Sequence, residues 1–357
     1  MARRIERLSW KLALSVLAAH VGLGGTAAAL DSSLTVPIVL SSAGRAGSFY
    51  TSELSLTNRG TTTATVRFTY TAAFGGGGGT ATDTLAAGRQ KTVSDAIAYL
   101  ISIGLPIPGS GDRGGVLRVD FSDLSGSDAG SITARTTTAV PGGRAGLAYA
   151  AFAGGIDLTS YLCGLRQNDT DRSNVAVLNA GRAGSGDIVL RLTVLSGDPV
   201  APAARVLPDL TLAPGAFRQY NEILKTVGLD RGYVRIERVS GGAPYYAYAT
   251  VLDQITSDGS FVPALTEEEI WGPPGSTLPV VVETTAFTTE VVLCNVSTAP
   301  VTVRYRAPAK VGPGAPTPAT PWLLRYCTKP GITFCSPAPR AIETDAVESG
   351  AWMASAT

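Results

Sequence analysis

The sequence predicts an all-β chain of tandem sandwich domains, each with one short crossover helix and the third incomplete. Three observations lead there. First, one strand motif occurs three times, at Thr51 to Asn58, Arg172 to Asn179 and Thr288 to Asn295. In each, apolar residues two apart face one way and an Asn closes the strand before a turn. Second, each motif is followed by another alternating strand, at Ala64 to Tyr70, Asp187 to Thr193 and Pro300 to Arg306. The closing Asn residues lie 121 and 116 positions apart, a domain-sized period. Third, 45% of the 357 residues are hydrophobic and only 16% charged, with 41 Gly, a balance that favours strands and turns over surface-charged helices.

Residues 1–29 read as an export signal. Arg3, Arg4, Arg7 and Lys11 form a basic start, Leu12 to Leu23 an apolar stretch, and Ala27, Ala28 and Ala29 a cleavage site. The competing reading is an uncleaved anchor, although the stretch is short and rich in small residues for a membrane span. Cleavage after Ala29 removes four of 29 basic residues and one of 28 acidic ones, leaving 25 against 27. A near-neutral mature chain has no basic stripe for nucleic acid.

The first domain, 30–153, opens with an apolar strand from Leu34 to Leu40, before the motif and its follower. Gly75 to Gly79 is expected to be a flexible hairpin tip between Thr69 to Phe74 and Thr80 to Leu85, since neither a lysine nor a helix start follows it. Leu85-Ala86-Ala87-Gly88 is a turn, and Ser94-Asp95 caps a helix through Leu100 that Gly104 and Pro106 stop. Strands at Leu117 to Phe121, Ser131 to Thr138 and Ala145 to Phe152 complete it. The second domain, 154–265, repeats this order. Leu212-Ala213-Pro214-Gly215 replaces the turn, Asn221 caps a helix that Gly228 ends, and Val234 to Glu237 matches Leu117 to Asp120. Strands at Tyr245 to Leu252 and near Phe261 to Leu265 follow. Four strands, a helix and three strands per domain predict a two-sheet, immunoglobulin-like sandwich. The expected superposition sets Asn58 on Asn179, Gly88 on Gly215 and Arg118 on Arg235.

Residues 266–277 read as a stiff linker, and 278–324 as a partial third repeat that becomes Pro-rich from Ala307. The tail, 325–357, is read as degenerate or disordered. A repeat cut short leaves a strand edge unpaired, which predicts a disordered tail or association with a second chain through that edge. Cys327 and Cys335 flank Gly331 at equal distance, so a hairpin turn there would set them opposite each other for a disulfide, leaving Cys163 and Cys294 as thiols. The alternative is a truncated or frameshifted tail whose two cysteines carry no meaning.

The three strand motifs and the two Leu-Ala-x-Gly turns resemble those of uncharacterised secreted bacterial proteins with tandem immunoglobulin-like repeats. That resemblance spans Leu34 to about Arg306. It implies an extracellular β architecture, secreted or on the cell surface, and no particular activity.

The only histidine, His20, lies in the export signal, which removes Ser/His/Asp and Cys/His catalysis and His-containing zinc sites from the mature chain. Acids such as Asp120 and Glu237 recur beside Arg118 and Arg235, as ion pairs on a sheet surface would. Asp169 to Ser173 has alternating oxygen side chains without the spacing of an EF-hand; it reads as a turn, with a noncanonical calcium loop as the alternative. No cofactor is indicated. Tyr246 and Tyr248 share one face of a strand, with Tyr245 on the other. Facing outward they would hold a sugar ring; facing inward they are core. Ser131 to Thr138, the corresponding stretch of the first domain, has no aromatic residue. The expected function is non-enzymatic, a structural or adhesive extracellular repeat protein, with a carbohydrate-binding or accessory module as the alternative. The expected partners are extracellular protein or glycan.

Overall fold

The computed structural model describes residues 30–198 and 201–271, and beyond them 281, 282, 284, 285, 288–297 and 303. The expectations for the export signal, for Cys327 and Cys335 and for the tail lie outside these. The chain is mostly β, 57% strand and 7% helix, in several antiparallel sheets.

The first unit contains β1 (Leu30–Ala43), β2 (Phe49–Asn58), β3 (Ala64–Phe74), β4 (Gly78–Leu85), β5 (Arg89–Val93), α1 (Ala96–Ser102), β6 (Arg113–Leu124), β7 (Gly130–Val140) and β8 (Gly143–Ala150). Its strands run in the order β4-β3-β6-β1-β2-β7-β8, with β5 also on β2. The long β1 lies along β6 and then, past an irregularity between Val36 and Val39, turns its last residues onto β2. One strand thus belongs to two layers, β4-β3-β6-β1 and β5-β2-β7-β8. Between them lie the inward halves of the alternating strands: Leu54 and Leu56, Val66 and Phe68, Leu117, Val119 and Phe121, Ile132 and Ala134. Each large apolar side chain so buried contributes roughly 1.5–3 kcal/mol relative to exposure.

The second unit contains β9 (Thr159–Arg166), β10 (Asp171–Asn179), β11 (Ile188–Ser196), β12 (Ala204–Val206), β13 (Leu210–Leu212), β14 (Phe217–Tyr220), α2 (Ile223–Thr226), β15 (Arg231–Ser240), β16 (Tyr245–Asp253) and β17 (Gly259–Pro263). One sheet runs β14-β10-β16-β17; the other runs β12-β11-β15-β9 and ends on β18 (Leu265–Thr266), with β13 also on β11. Its core holds Leu162, Val175, Val177, Leu190, Leu192, Val234, Ile236, Tyr245 and Ala247.

Most pairings recur in the two units, although β1 also pairs with β2 where β9 does not pair with β10, and β12 has no counterpart in the first unit. In both, the motif strand lies between the strand before the helix and the second strand after it. Asn58 and Asn179 are fully buried and make the same bonds. Asn58 Nδ2 donates to Thr62 O at 2.8 Å and Leu85 O at 3.0 Å, while its Oδ1 accepts from Gly60 N. Asn179 Nδ2 donates to Gly186 O at 3.2 Å and Leu212 O at 2.9 Å, while its Oδ1 accepts from Gly181 N. The amides of Gly88 and Gly215 also tie these turns, though to acceptors two positions apart, Gly60 O and Asn179 O.

Both helices also end alike. The amides of Gly104 and Leu105 donate to Ile101 O and Leu100 O, and those of Gly228 and Leu229 to Lys225 O and Leu224 O. This closure needs a left-handed residue, and Gly104 and Gly228 have φ +99° and +73°. Their starts differ. Asp95 caps α1 by accepting from Ala98 N at 2.9 Å. For α2 the cap position is Glu222, in the left-handed region with no side-chain cap bond, and not Asn221, which accepts from Gln219 instead. Asn174 Oδ1, from β10, takes the Glu222 amide. Asp95→Ala is expected to lower stability by about 1 kcal/mol, read as the urea midpoint. An unchanged midpoint would show that the cap contributes nothing.

Several sequence expectations need correction. The Gly75 to Gly79 stretch does join a hairpin, but it is packed: a side chain at Gly75 would meet Asp112 O at 2.1 Å, and one at Gly77 would meet Pro106 O at 2.6 Å. Five strands, not four, precede α1, because the short polar edge strand β5 has no apolar alternation to betray it. The expected linker begins as structure. Thr266 pairs with Ser160, and Glu267–Trp271 forms a helix, α3, behind a capping box in which Glu269 accepts from Thr266 N and Thr266 Oγ1 accepts from Glu269 N. Thr288 to Asn295 is not a continuous strand; Thr288 and Val291 form isolated bridges. No helix among the described residues is long and apolar enough to cross a membrane.

Candidate functional site

Alternation in β10 and β16 aims Val175, Val177, Tyr245 and Ala247 into the second core, so Ala176, Leu178, Tyr246 and Tyr248 must point the other way. That other way is not solvent. Ala176 and Tyr248 are buried in the first unit's core cluster, and Leu178 packs with Val116, Phe152, Phe217 and Tyr246. The β14-β10-β16-β17 sheet is therefore covered on both faces, which explains why Ser173 through Asn179 is buried without a break.

This overturns the outward reading of Tyr246 and Tyr248. The Tyr246 ring is stacked on Phe152 at 3.8 Å and 3°. Tyr248 is 2% exposed and packs on Phe261 at 5.4 Å and on Tyr149 at 5.7 Å. Burial drives the Tyr248 hydroxyl well above its ordinary pKa, with Tyr149 and Tyr246 adding to it. Both rings already have aromatic partners from this chain, so neither offers a sugar platform. Tyr245, on the opposite face, is anchored in its own core by bonds from its hydroxyl to Ser160 Oγ at 2.9 Å and Ile236 O at 3.1 Å.

Beside the aromatic contact the joint opens into a groove of about 620 Å³. Its walls include Ser33, Thr35 and Arg118 from the first unit and Arg182 and Ser185 from the second. Arg118 Nη2 donates to Ala180 O at 2.8 Å and Gly181 O at 3.1 Å, clamping the turn that follows Asn179. Desolvation lowers the Arg118 pKa; Arg182 lowers it further and Asp120 opposes the change. Arg182 reaches Asp120 at 3.5 Å. Arg45 and Glu222 form another ion pair across the joint.

The expected surface ion pairs thus divide. Arg235 and Glu237 pair on their own sheet at 3.1 Å, whereas Arg118 and Asp120 each turn to the neighbouring unit. Near Asp169 the turn chemistry is visible: Asn168 Oδ1 accepts from the amides of Thr170 and Asp171 at 2.8 and 2.6 Å. Among the described residues no three His, Cys, Asp or Glu are grouped as a metal site would group them. Sequence reasoning missed Arg118, Arg182 and Phe152 as joint residues. The usable signal was the change from Ser55, Thr57, Ser131 and Thr133 in the first unit to Ala176, Leu178, Tyr246 and Tyr248 at the same pairing positions in the second. No protein family matches this chain, and no curated protein matches it.

Proposed function

We propose that the chain is a non-enzymatic extracellular protein, secreted or at the cell surface, whose immunoglobulin-like sandwich repeats serve as structural or adhesive scaffold. The supporting observation is the joint. The large side chains that distinguish the second unit from the first, Tyr246 and Tyr248, are consumed in stacking one unit on the other. Recurring residues such as Asn58 and Asn179 serve turns. Arg118 holds a neighbouring backbone, which is what a stiff array requires.

A second reading, a carbohydrate-binding or accessory module, draws on the groove. There Arg182 and the hydroxyls of Ser33, Thr35 and Ser185 line a space large enough for a sugar, and acidic sugars suit its guanidinium groups best. A glycan array containing uronate and sulfated glycans separates the two. The scaffold reading expects no signal. A reproducible signal that Arg182→Ala abolishes would replace it with the second.

A further inference from the structure

We infer that the outer face of the β11-β15-β9 sheet is a docking surface for residues 288–297 of this same chain, in the register by which the second unit docks on the first. The array then grows head to tail, each unit covering the motif strand of the next. The inference rests on reading the units as copies and is independent of glycan binding.

The register comes from pairing. Thr35 lies opposite Arg118 on the first unit's docking sheet, and Tyr161 lies opposite Arg235 on the second's. Counting from these arginines, Val116 corresponds to Tyr233. Counting from the closing Asn, Ala176 and Leu178 correspond to Val292 and Cys294, and Asn174 to Glu290. In the first joint Val116 packs on Leu178. At the second, Cys163 adjoins Gly164, which meets Val292, two residues from Cys294; consistent with this, both thiols add to the rise in the Tyr233 pKa that burial chiefly causes. Val292, at the Ala176 position, lies against the Gly164 backbone, where an added Cβ would meet it at 3.3 Å. Arg166 Nη1 donates to Glu290 Oε2 at 2.7 Å.

Two further correspondences agree with this register. Phe152, which stacks on Tyr246, bridges Thr35, and Leu265 bridges Tyr161, so an apolar residue stands beside the docking face in both units. Asn295 Oδ1 accepts from Ser297 N at 3.0 Å, as Asn58 and Asn179 accept from the amide two residues on at 2.9 Å. The chemistry of the motif strand follows position in the array. The first unit turns Ser55 and Thr57 outward and the second Ala176 and Leu178, while the third copy carries Val292 and Cys294 at the corresponding positions. Polar residues on the first copy and apolar ones on the second and third fit a joint in front of each later copy, and an interface between unlike faces allows continued stacking.

The test uses the full chain carrying Cys327→Ser and Cys335→Ser, so that Cys163 and Cys294 remain of the four cysteines. Dilute native protein is treated with a short bifunctional thiol reagent and digested for mass spectrometry. The expected product is a Cys163 to Cys294 bridge within one chain. Val292→Asp, which places a carboxylate in the joint, is expected to slow bridging about tenfold or more, and Val292→Ile to leave it within about twofold. Three results would overturn the inference: no bridge although each thiol reacts with a monofunctional reagent, bridges only between two chains, or equal bridging in Val292→Asp. A positive glycan array would remove the proposed function and leave this joint standing.

Discussion

Tyr248→Ala is expected to cost about 3–5 kcal/mol, the range for removing a large buried aromatic ring, and to be among the most damaging single changes in the chain. Tyr248 is 2% exposed and touches Tyr149, Phe261 and Tyr246. Truncation therefore leaves a cavity at the meeting of two cores, where neither unit can collapse without moving a sheet. Because the ring joins the units, the variant is also expected to split one urea transition into two as they unfold separately. Two controls isolate the cause. Tyr248→Phe keeps the ring and is expected within about 1.5 kcal/mol of the parent. Thr133→Ala changes the corresponding position of the first unit, which is exposed, and is expected to stay within about 0.5 kcal/mol. If Tyr248→Ala cost no more than Thr133→Ala, the buried joint would be wrong.

Asn58→Ala and Asn179→Ala are each expected to lose about 3 kcal/mol. Each buried side chain satisfies two carbonyls and one amide, and each group left unpaired costs about 1–3 kcal/mol, partly relieved where water can enter. The mechanism predicts a specific failure of the closest substitute. Aspartate restores the acceptor for Gly60 N or Gly181 N but has no donor for the two carbonyls, so near neutral pH Asn58→Asp and Asn179→Asp should be no better than alanine. Urea denaturation of the four variants checks this. Parent-like stability in either aspartate variant would mean that the Nδ2 bonds contribute nothing.

Much of the architecture follows from local pattern alone. Alternation at Leu54 and Leu56, or at Val175 and Val177, determines which side of a strand enters its own core, because side chains on a strand point alternately to opposite faces. Asn58 and Asn179 at strand ends, Asp95 before α1, and Gly104 and Gly228 after the helices are equally legible, since each acts on backbone groups a few residues away or on the adjoining turn. Edge strands such as β5 and β12 are hidden, the first because a polar strand held by backbone bonds carries no hydrophobic period, the second because three residues are too few to show one.

What only the tertiary structure decided is the fate of each strand's second face. Period-2 alternation says that Tyr246 and Tyr248 leave their own core; it cannot say whether they meet water or another domain, which depends on contacts more than ninety residues away in sequence, at Tyr149 and Phe152. The same holds for charge. Arg118 and Arg235 are equivalent in pairing, yet one clamps Ala180 O and Gly181 O across the joint and the other pairs with Glu237 on its own sheet. A side chain's type and spacing follow from the chain itself, whereas its partner is set by which surfaces desolvate together, and that is determined only when the domains stack.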